Sequence, residues 1–237
     1  MSKRAVVLAG GRGTRLRPYT VVLPKPLMPI GEFPILEVIV RQLARDGFDR
    51  ITMAVNHQAE LINTFFQRGE KWGIQIDYSL EDRALGTMGP LRLIDDLPEN
   101  FLVMNGDILT DLNYRKLFED HVTSGSIFTV SSSSREQAVD YGVLKTDANR
   151  NLVGFEEKPR LNYEVSMGIY ILSARVLPLI PAERLYGFDD LMHDLIAAGK
   201  KVFVRRFEGY WLDIGRPDDY TKAIDEFETM SSHFLNG

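Results

Sequence analysis

Apolar runs of strand length alternate with amphipathic stretches of helical length over the first part of the chain. The runs are predicted to be buried strands and lie at 5–9, 51–55, 74–78 and 101–104. The stretches between them are predicted to be helices and lie at 34–47, 59–67 and 87–97. Strands that alternate with helices are typical of a parallel sheet with helices on both faces. This pattern therefore predicts an α/β fold with a nucleotide-binding type of layout.

The second half of the chain is richer in predicted strands. These lie at 127–130, 142–145, 152–156, 165–172 and 202–207, with helices at 113–124, 191–198 and 218–230. Such a pattern predicts a β-rich extension of a mixed sheet. Because no internal repeat or linker-like stretch separates the two halves, we expect residues 1–237 to form one domain.

The charge and the cysteine content exclude several classes of protein. The chain has 33 Asp and Glu against 28 Lys and Arg, a formal net charge of −5 at pH 7, so a nucleic-acid partner is not expected. The absence of cysteine excludes disulfides, thiolate metal sites and a cysteine nucleophile. The apolar runs are far shorter than the ~20 residues of a membrane span, and the first is too short for a signal peptide. We therefore expect a cytoplasmic protein without a membrane partner.

A glycine-rich loop with two arginines directly follows the first predicted strand. Gly10, Gly11 and Gly13 allow the backbone to approach a ligand and to turn its N–H groups toward an anion. Arg12 and Arg15 add positive charge, so the loop has the composition of a phosphate cradle. It lacks the Gly-Lys-Ser/Thr ending of a P-loop and the spacing of the dinucleotide motif. Taken alone, it is also typical of a glycine-rich surface turn.

A lysine between two prolines follows this loop. Pro24 and Pro26 restrict the backbone on either side of Lys25, which reduces the ordering needed when the lysine meets a phosphate. Taken alone, the tripeptide is better explained as a surface turn.

An aspartate and the histidines are further candidates for binding a ligand or a metal. Asp107 lies just past the end of a predicted buried strand, which is where ligands sit in open α/β sheets. The four histidines lack the spacing of metal ligands and are expected to be structural or surface groups: His57, His121, His193 and His233.

A series of motifs follows in a fixed order along the chain: Leu85-Gly86-Thr87-Met88-Gly89-Pro90-Leu91, Asn105-Gly106-Asp107, Tyr141-Gly142-Val143, Phe155-Glu156-Glu157-Lys158-Pro159, Met167-Gly168-Ile169-Tyr170 and Tyr210-Trp211-Leu212-Asp213-Ile214-Gly215. Together with residues 10–18 and 24–26, this series resembles the sugar-1-phosphate nucleotidyltransferases. Its pattern is most similar to the mannose-1-phosphate and heptose-1-phosphate guanylyltransferases. The resemblance implies a Rossmann-like, mainly parallel sheet of the glycosyltransferase-A type. It also implies a nucleotide-binding half over about 1–112 and a sugar-phosphate-binding half, with a small β-rich extension, over about 113–237.

The resemblance also implies a reaction and a set of site residues. A sugar 1-phosphate oxygen attacks the α-phosphorus of a nucleoside triphosphate and pyrophosphate leaves, a transfer that depends on positioning, cations and a divalent metal. The family pattern assigns catalysis to Arg15, Lys25, Asp107 and Asp213, with Mg²⁺ on the two aspartates. It assigns nucleotide binding to Leu8, Gly10, Gly11, Gly13, Thr14, Arg15, Lys25, Glu81, Gly86 and Thr87. It assigns the sugar phosphate to Gly142, Glu157, Lys158, Ser166 and Gly168.

By the same resemblance, the nucleotide base lies against the segment 81–87. A guanine edge carries N–H donors that suit an acidic acceptor such as Glu81, and residues 85–91 resemble the guanylyl branch, so GTP is the favoured substrate. The alternative is uridylyl or thymidylyl transfer to glucose 1-phosphate or to an amino-sugar or muramate 1-phosphate. A catalytically silent NDP-sugar-binding regulatory subunit is an alternative of another class.

Two departures from the mannose branch limit the prediction. Ser166-Met167-Gly168 stands where many relatives have Asn-Ala-Gly, so mannose 1-phosphate and a manno-heptose 1-phosphate both stay open. The chain is too short to include the carboxyl-terminal left-handed β-helix of the longer guanylyltransferases, and that domain is not expected. The sequence leaves the oligomeric state open, a homo-oligomer included.

Overall fold

The computed structural model describes residues 3–56, 58–182 and 184–235. The strands are β1 (Arg4–Leu8), β2 (Pro29–Ile30), β3 (Phe33–Pro34), β4 (Arg50–Val55), β5 (Gln75–Leu80), β6 (Asn100–Asn105), β7 (Ile108–Thr110), β8 (Phe128–Ala138), β9 (Val143–Thr146), β10 (Leu152–Glu156), β11 (Arg160–Ser173), β12 (Val202–Phe207) and β13 (Trp211–Asp213). The α-helices are α1 (Ile35–Arg45), α2 (Ala59–Phe66), α3 (Tyr114–Ser124), α4 (Phe188–Ala197) and α5 (Pro217–Leu235).

A mixed sheet of seven strands forms the centre of the described residues, in the order β12-β8-β11-β6-β1-β4-β5. Its β6-β1-β4-β5 half is parallel throughout, and Ala5 stands opposite both Ile51 and Leu102. Strand β11 runs antiparallel to β6 and β8, whereas β12 is parallel to β8. The predicted α/β class with a mixed, mainly parallel sheet is confirmed.

Helices cover both faces of this sheet, which explains why the middle residues of its central strands, such as 5–8 in β1 and 101–104 in β6, are apolar without alternation. Successive side chains of β1 point to opposite faces, so Val6 packs in the core beneath α4 and Val7 in the core beneath α1, α2 and α3. A third apolar cluster joins α5 to α1 and β2. Complete burial of one valine, leucine or isoleucine side chain in these clusters stabilises the fold by roughly 1.5–3 kcal/mol.

The helix predicted at 87–97 is wrong, because that stretch forms only a short 3₁₀ turn, Gly89–Leu93. The N–H groups of Met88 and Gly89 both donate to the carbonyl of Tyr186 at 3.1 Å. Met88 and Leu91 then pack in the same core as Tyr186. The apolar residues of this stretch therefore pack against a distant part of the chain. Their spacing in the sequence is the same as that of an amphipathic helix, so the pattern alone does not separate the two cases.

A short strand pair outside the central sheet joins the two halves of the chain and is not predicted from the sequence. Strand β13 pairs antiparallel with β7, and Asp213 stands opposite Ile108. The Ile214 N–H also donates to the Asp107 carbonyl at 3.0 Å. This pairing carries residue 213 to the carboxyl end of β6.

The β-rich extension predicted for the second half consists of an arm and a hairpin. Strands β8 and β11 stay paired beyond the central sheet, as far as Ala138 opposite Arg160. Strands β9 and β10 form an antiparallel hairpin of their own. In the part of the chain that the structure describes, no helix is both long enough and apolar enough to cross a membrane.

Candidate active site

The glycine-rich loop leaves the carboxyl end of β1 and is held in a folded conformation. Gly13 has a φ of 58°, in the left-handed region that glycine adopts without strain. Its carbonyl accepts hydrogen bonds from the Thr20 hydroxyl at 2.7 Å and from the Leu16 N–H at 2.9 Å. A Cβ added to Gly13 would lie 2.9 Å from the Thr20 Cγ2. Glycine is therefore required here, just before the short turn that begins at Thr14 and carries Arg15.

Lys25 and Asp107 form an ion pair at the carboxyl end of β6. Lys25 is only 8% exposed, in a turn that follows the extended Pro24. The Gly106 N–H donates to the Leu8 carbonyl at 2.9 Å, which holds the backbone before Asp107 against β1. The second carboxylate oxygen of Asp107, Oδ1, is buried and has no hydrogen-bond partner among the described residues. Such an oxygen is unfavourable unless a ligand satisfies it.

Asp213 belongs to the same cluster of charges. Burial raises the pKa of its carboxyl, and the negative charge of Asp107 raises it further, while Lys25 and Arg15 oppose this shift. The Arg15 guanidinium also approaches the backbone just after Asp213, since a Cβ added to Gly215 would lie 3.5 Å from its Nη2. The structure thus brings together the four residues that the sequence predicts to be catalytic.

A cavity of about 360 Å³ opens beside this cluster, a volume typical of small-molecule sites. Its lining includes six residues predicted to bind the nucleotide and one predicted to bind the metal: Leu8, Gly10, Gly11, Glu81, Gly86, Thr87 and Asp107. Gly13, Thr14, Arg15 and Lys25 do not belong to this lining. Lys25 is nevertheless joined to it by the ion pair with Asp107.

Two asparagines in the cavity wall are missed by the sequence analysis. Asn56 directly follows β4, and Asn105 is the last residue of β6. The signal that would find them is a polar residue at the carboxyl end of a strand in a parallel sheet. Because β4 and β6 both flank β1, these side chains lie on either side of the glycine-rich loop.

Glu81 places a carboxylate inside the cavity wall. It follows β5 directly, its N–H donates to the Val55 carbonyl at 2.9 Å, and the residue is only 9% exposed. Its Oε2 accepts a hydrogen bond from the Leu85 N–H at 3.2 Å. Burial raises the pKa of Glu81, and the Leu85 N–H lowers it in part. A Cβ added to Gly10 would lie 3.2 Å from Oε1, so the backbone of the loop passes close to the carboxylate.

Ser166 and Gly168, predicted for the sugar side, lie next to the cavity. The Ser166 Oγ is 3.1 Å from the hydroxyl oxygen of Tyr170 and accepts a hydrogen bond from the Gly168 N–H at 3.3 Å. Gly168 has a φ of 73°, and a Cβ there would lie 2.6 Å from the Asn105 Nδ2. A bulge interrupts the pairing of β11 with β8 at this point. Absence of a side chain at 168 therefore keeps β11 close to the cavity wall.

The other predicted sugar residues lie at the hairpin. A Cβ on Gly142 would lie 2.6 Å from the Phe155 ring and 3.1 Å from the Glu157 Oε2. Lys158 follows with a φ of 44°, which turns the chain out of β10. Among the described residues, no hydrogen bond or ion pair joins Glu157 or Lys158 to the cluster around Asp107.

The two aspartates fit a magnesium ion. Mg²⁺ is usually bound by one or two carboxylates, with phosphate oxygens and water completing its shell. Asp107 supplies a buried oxygen without a protein partner, and Asp213 lies near enough to raise the local negative charge. No group of three or more metal-ligating side chains of the His, Cys, Asp or Glu type occurs within the described ranges. These carboxylates suit a metal shared with a phosphorylated substrate better than a closed protein cage.

A family model described as nucleotidyl transferase matches residues 4–230. The chain belongs to this family. The match covers both halves of the nucleotidyltransferase, from the first residue of β1 into α5.

Relatives of this nucleotidyltransferase act on sugar 1-phosphates, according to their names. It is 35% identical to a UTP–glucose-1-phosphate uridylyltransferase of Synechocystis, over 93% of this chain and 62% of that protein. It is 33% identical to a mannose-1-phosphate guanyltransferase of Candida albicans, over 97% of this chain and 66% of that protein. These matches confirm the sugar-1-phosphate nucleotidyltransferase family. The chain spans about two thirds or less of the length of these relatives.

Solved structures have the same fold. HddC from Yersinia pseudotuberculosis complexed with GMP-PN has a TM-score of 0.71 and 27% identity, over 95% of this chain and 99% of that one. A putative glucose-1-phosphate thymidylyltransferase from Bacillus anthracis has a TM-score of 0.77 and 24% identity, over 95% of both chains. The latter likeness concerns the fold alone.

Proposed function

We propose that this nucleotidyltransferase transfers GMP from GTP to mannose 1-phosphate or a manno-heptose 1-phosphate, which gives a GDP-sugar and pyrophosphate. The observation that supports GTP is the buried Glu81 carboxylate in the wall of the cavity. The names of the guanyltransferase relatives and of the HddC complex support it as well.

Guanine matches a carboxylate better than a pyrimidine base does. Its N1–H and N2–H groups are adjacent donors, and an ionised carboxylate only accepts hydrogen bonds. Uracil and thymine present a single N3–H donor between two carbonyl oxygens. At least one of these acceptor oxygens would then face the negative charge of Glu81. A buried charge that finds no matching donor is costly, so a site of this kind discriminates strongly between bases.

The charged cluster supplies what the transfer needs. The sugar phosphate oxygen forms a bond to the α-phosphorus, and the bond from that phosphorus to the bridging oxygen of pyrophosphate breaks. Lys25 and Arg15 stabilise the negative charge that builds on the phosphates as this happens. Asp107 and Asp213 would hold Mg²⁺, which supplies further charge neutralisation along the triphosphate when it is bound.

The second substrate is expected on the side of β11 and the β9–β10 hairpin. We assign the phosphate of the sugar to Lys158 and the sugar hydroxyls to Glu157 and Ser166, because an ammonium and acceptor oxygens suit a polar, anionic sugar. We place Gly142 and Gly168 in the lining of the same site. A Cβ at either position would lie 2.6 Å from a protein atom, of the Phe155 ring or of the Asn105 amide, so the two glycines allow these neighbours to approach the backbone closely.

The test is pyrophosphate release with Mg²⁺ for a matrix of substrates. GTP, UTP, dTTP, CTP and ATP are combined with the 1-phosphates of mannose, manno-heptose, glucose and N-acetylmuramate. We expect release when GTP meets a manno-configured sugar phosphate. Preference for UTP, the nucleotide in the name of the Synechocystis relative, or for dTTP would overturn the guanylyl assignment. No release from any pair, with NDP-sugar binding retained, would indicate a silent regulatory subunit.

A matched pair of variants tests the role of Glu81. Glu81→Gln keeps the shape but removes the charge, and we expect its kcat/KM for GTP to fall about tenfold or more because a charged acceptor is lost. Glu228→Gln makes the same change at an exposed carboxylate on α5, away from the cavity, and should leave the kinetics unchanged. Equal effects of the two substitutions would contradict base recognition by Glu81.

A further inference from the structure

Asn56 stands between the glycine-rich loop and Glu81. Strand β4 pairs with β1 on one side and β5 on the other, and Asn56 and Glu81 are the residues that directly follow β4 and β5. A Cβ added to Gly10 would lie 3.2 Å from both the Asn56 Cβ and the Glu81 Oε1. Both side chains thus approach the backbone of Gly10 at the same part of the cavity wall.

The orientation of Glu81 leaves one oxygen for a ligand on the side of Asn56. The Leu85 N–H binds Oε2, which fixes the plane of the carboxylate, and the opposite oxygen faces Gly10. Asn56 is half-buried and lines the same cavity. Within the residues that the structure describes, no hydrogen bond engages the Asn56 side-chain amide. A donor therefore lies beside an acceptor, and both face the cavity.

We propose that Asn56 is a specificity-determining residue of this enzyme, whose side-chain N–H donates to O6 of guanine while Glu81 accepts from the neighbouring N–H groups. This inference rests on the proposed use of GTP. Guanine presents an acceptor, O6, directly next to its N1–H donor, which is the complement of an amide donor beside a carboxylate acceptor. Adenine presents an amino donor where guanine has O6, and the Asn56–Glu81 pair cannot match both edges in the same register.

Base analogues separate this role from a structural one. GTP and ITP both carry O6, whereas 2-aminopurine riboside triphosphate lacks it. We expect Asn56→Ala to lower kcat/KM about tenfold for GTP and for ITP, because each loses one hydrogen bond to O6. The same substitution should leave kcat/KM for 2-aminopurine riboside triphosphate unchanged. A merely structural role would lower all three by the same factor, which would overturn the proposal.

A second substitution and a control complete the test. Asn56→Asp keeps the size of the side chain but replaces the donor by an acceptor. The new carboxylate would face O6 of GTP, so we expect kcat/KM to fall more for GTP than for the 2-aminopurine nucleotide, which lacks O6. Asn63→Ala changes an exposed asparagine on α2 and should not affect any of the nucleotides. Circular dichroism shows whether each variant is folded. If Asn56→Ala does not fold, the test uses Asn56→Asp alone.

The outcomes distinguish two kinds of failure. If the wild-type enzyme prefers UTP or dTTP, the proposed function fails and the role of Asn56 fails with it. If it prefers GTP but Asn56→Ala and Asn56→Asp lower kcat/KM equally for GTP, ITP and the 2-aminopurine nucleotide, only the inference about Asn56 is wrong.

Discussion

His121 on α3 is buried, with only 1% of its surface exposed, and is expected to make the stability of the protein depend on pH. Its ring nitrogens lie 2.8 Å from the Thr129 hydroxyl oxygen and 3.1 Å from the Asn100 Oδ1. Burial, together with the positive charge of Arg175, lowers the pKa of His121 to about 4. The imidazole is therefore neutral in the folded protein throughout the range in which an exposed histidine titrates.

The magnitude follows from the difference between folded and unfolded pKa values. In the unfolded chain the pKa of a histidine is about 6.5, so at pH 5 the unfolded state binds a proton that the folded state does not. The free energy of unfolding therefore falls as the pH falls from 7 to 5, by about 2 kcal/mol for this group. The loss ends near pH 4, where the folded protein also binds the proton.

Urea denaturation at pH 7 and pH 5 measures this effect. Carboxyl groups also titrate in the range, so the wild type is compared with His121→Gln, which lacks the titrating group but keeps a donor and an acceptor for Thr129 and Asn100. We expect the wild type to lose about 2 kcal/mol more than the variant between the two pH values. Equal losses in the two proteins would refute the reasoning, because His121 would then titrate alike in the folded and unfolded states.

Two further predictions concern the proposed reaction. Asp107→Asn and Asp213→Asn should each fold, as circular dichroism would show, but lose about 100-fold or more of kcat, because the phosphate-binding cluster loses a charged metal ligand. Wild-type rates in either variant would contradict the metal assignment. Lys158→Ala should raise the KM for the sugar 1-phosphate about tenfold with a smaller change for GTP, since it removes a cation opposite a phosphate. The reverse pattern in steady-state kinetics would mean that the two substrate sites are exchanged.

Local features of the fold are predictable from the sequence because they depend on neighbouring residues. The strand at 202–207 and the loop after β1 are where periodicity and glycine content predict them. The structure of the stretch 87–97 is not predictable in this way. Its apolar residues pack in the same core as Tyr186, and the stretch forms only a short 3₁₀ turn in place of a helix. Asn56 can be recognised in the sequence as a polar residue at the end of a predicted strand, but its position beside Glu81 depends on β1, β4 and β5 being side by side.

The α/β class, the family and the kinds of residue in the site can be recognised without a structure: glycines next to a strand, two basic residues and two aspartates. The tertiary structure alone decided which of these groups meet. The pairing of β13 with β7 brings Asp213 to Asp107, and strand register brings Glu81 to Asn56 and Gly10. Burial of Lys25, Glu81 and Asp213 likewise depends on packing. Contacts and desolvation arise between residues far apart in the chain, and local sequence patterns carry no information about such distances.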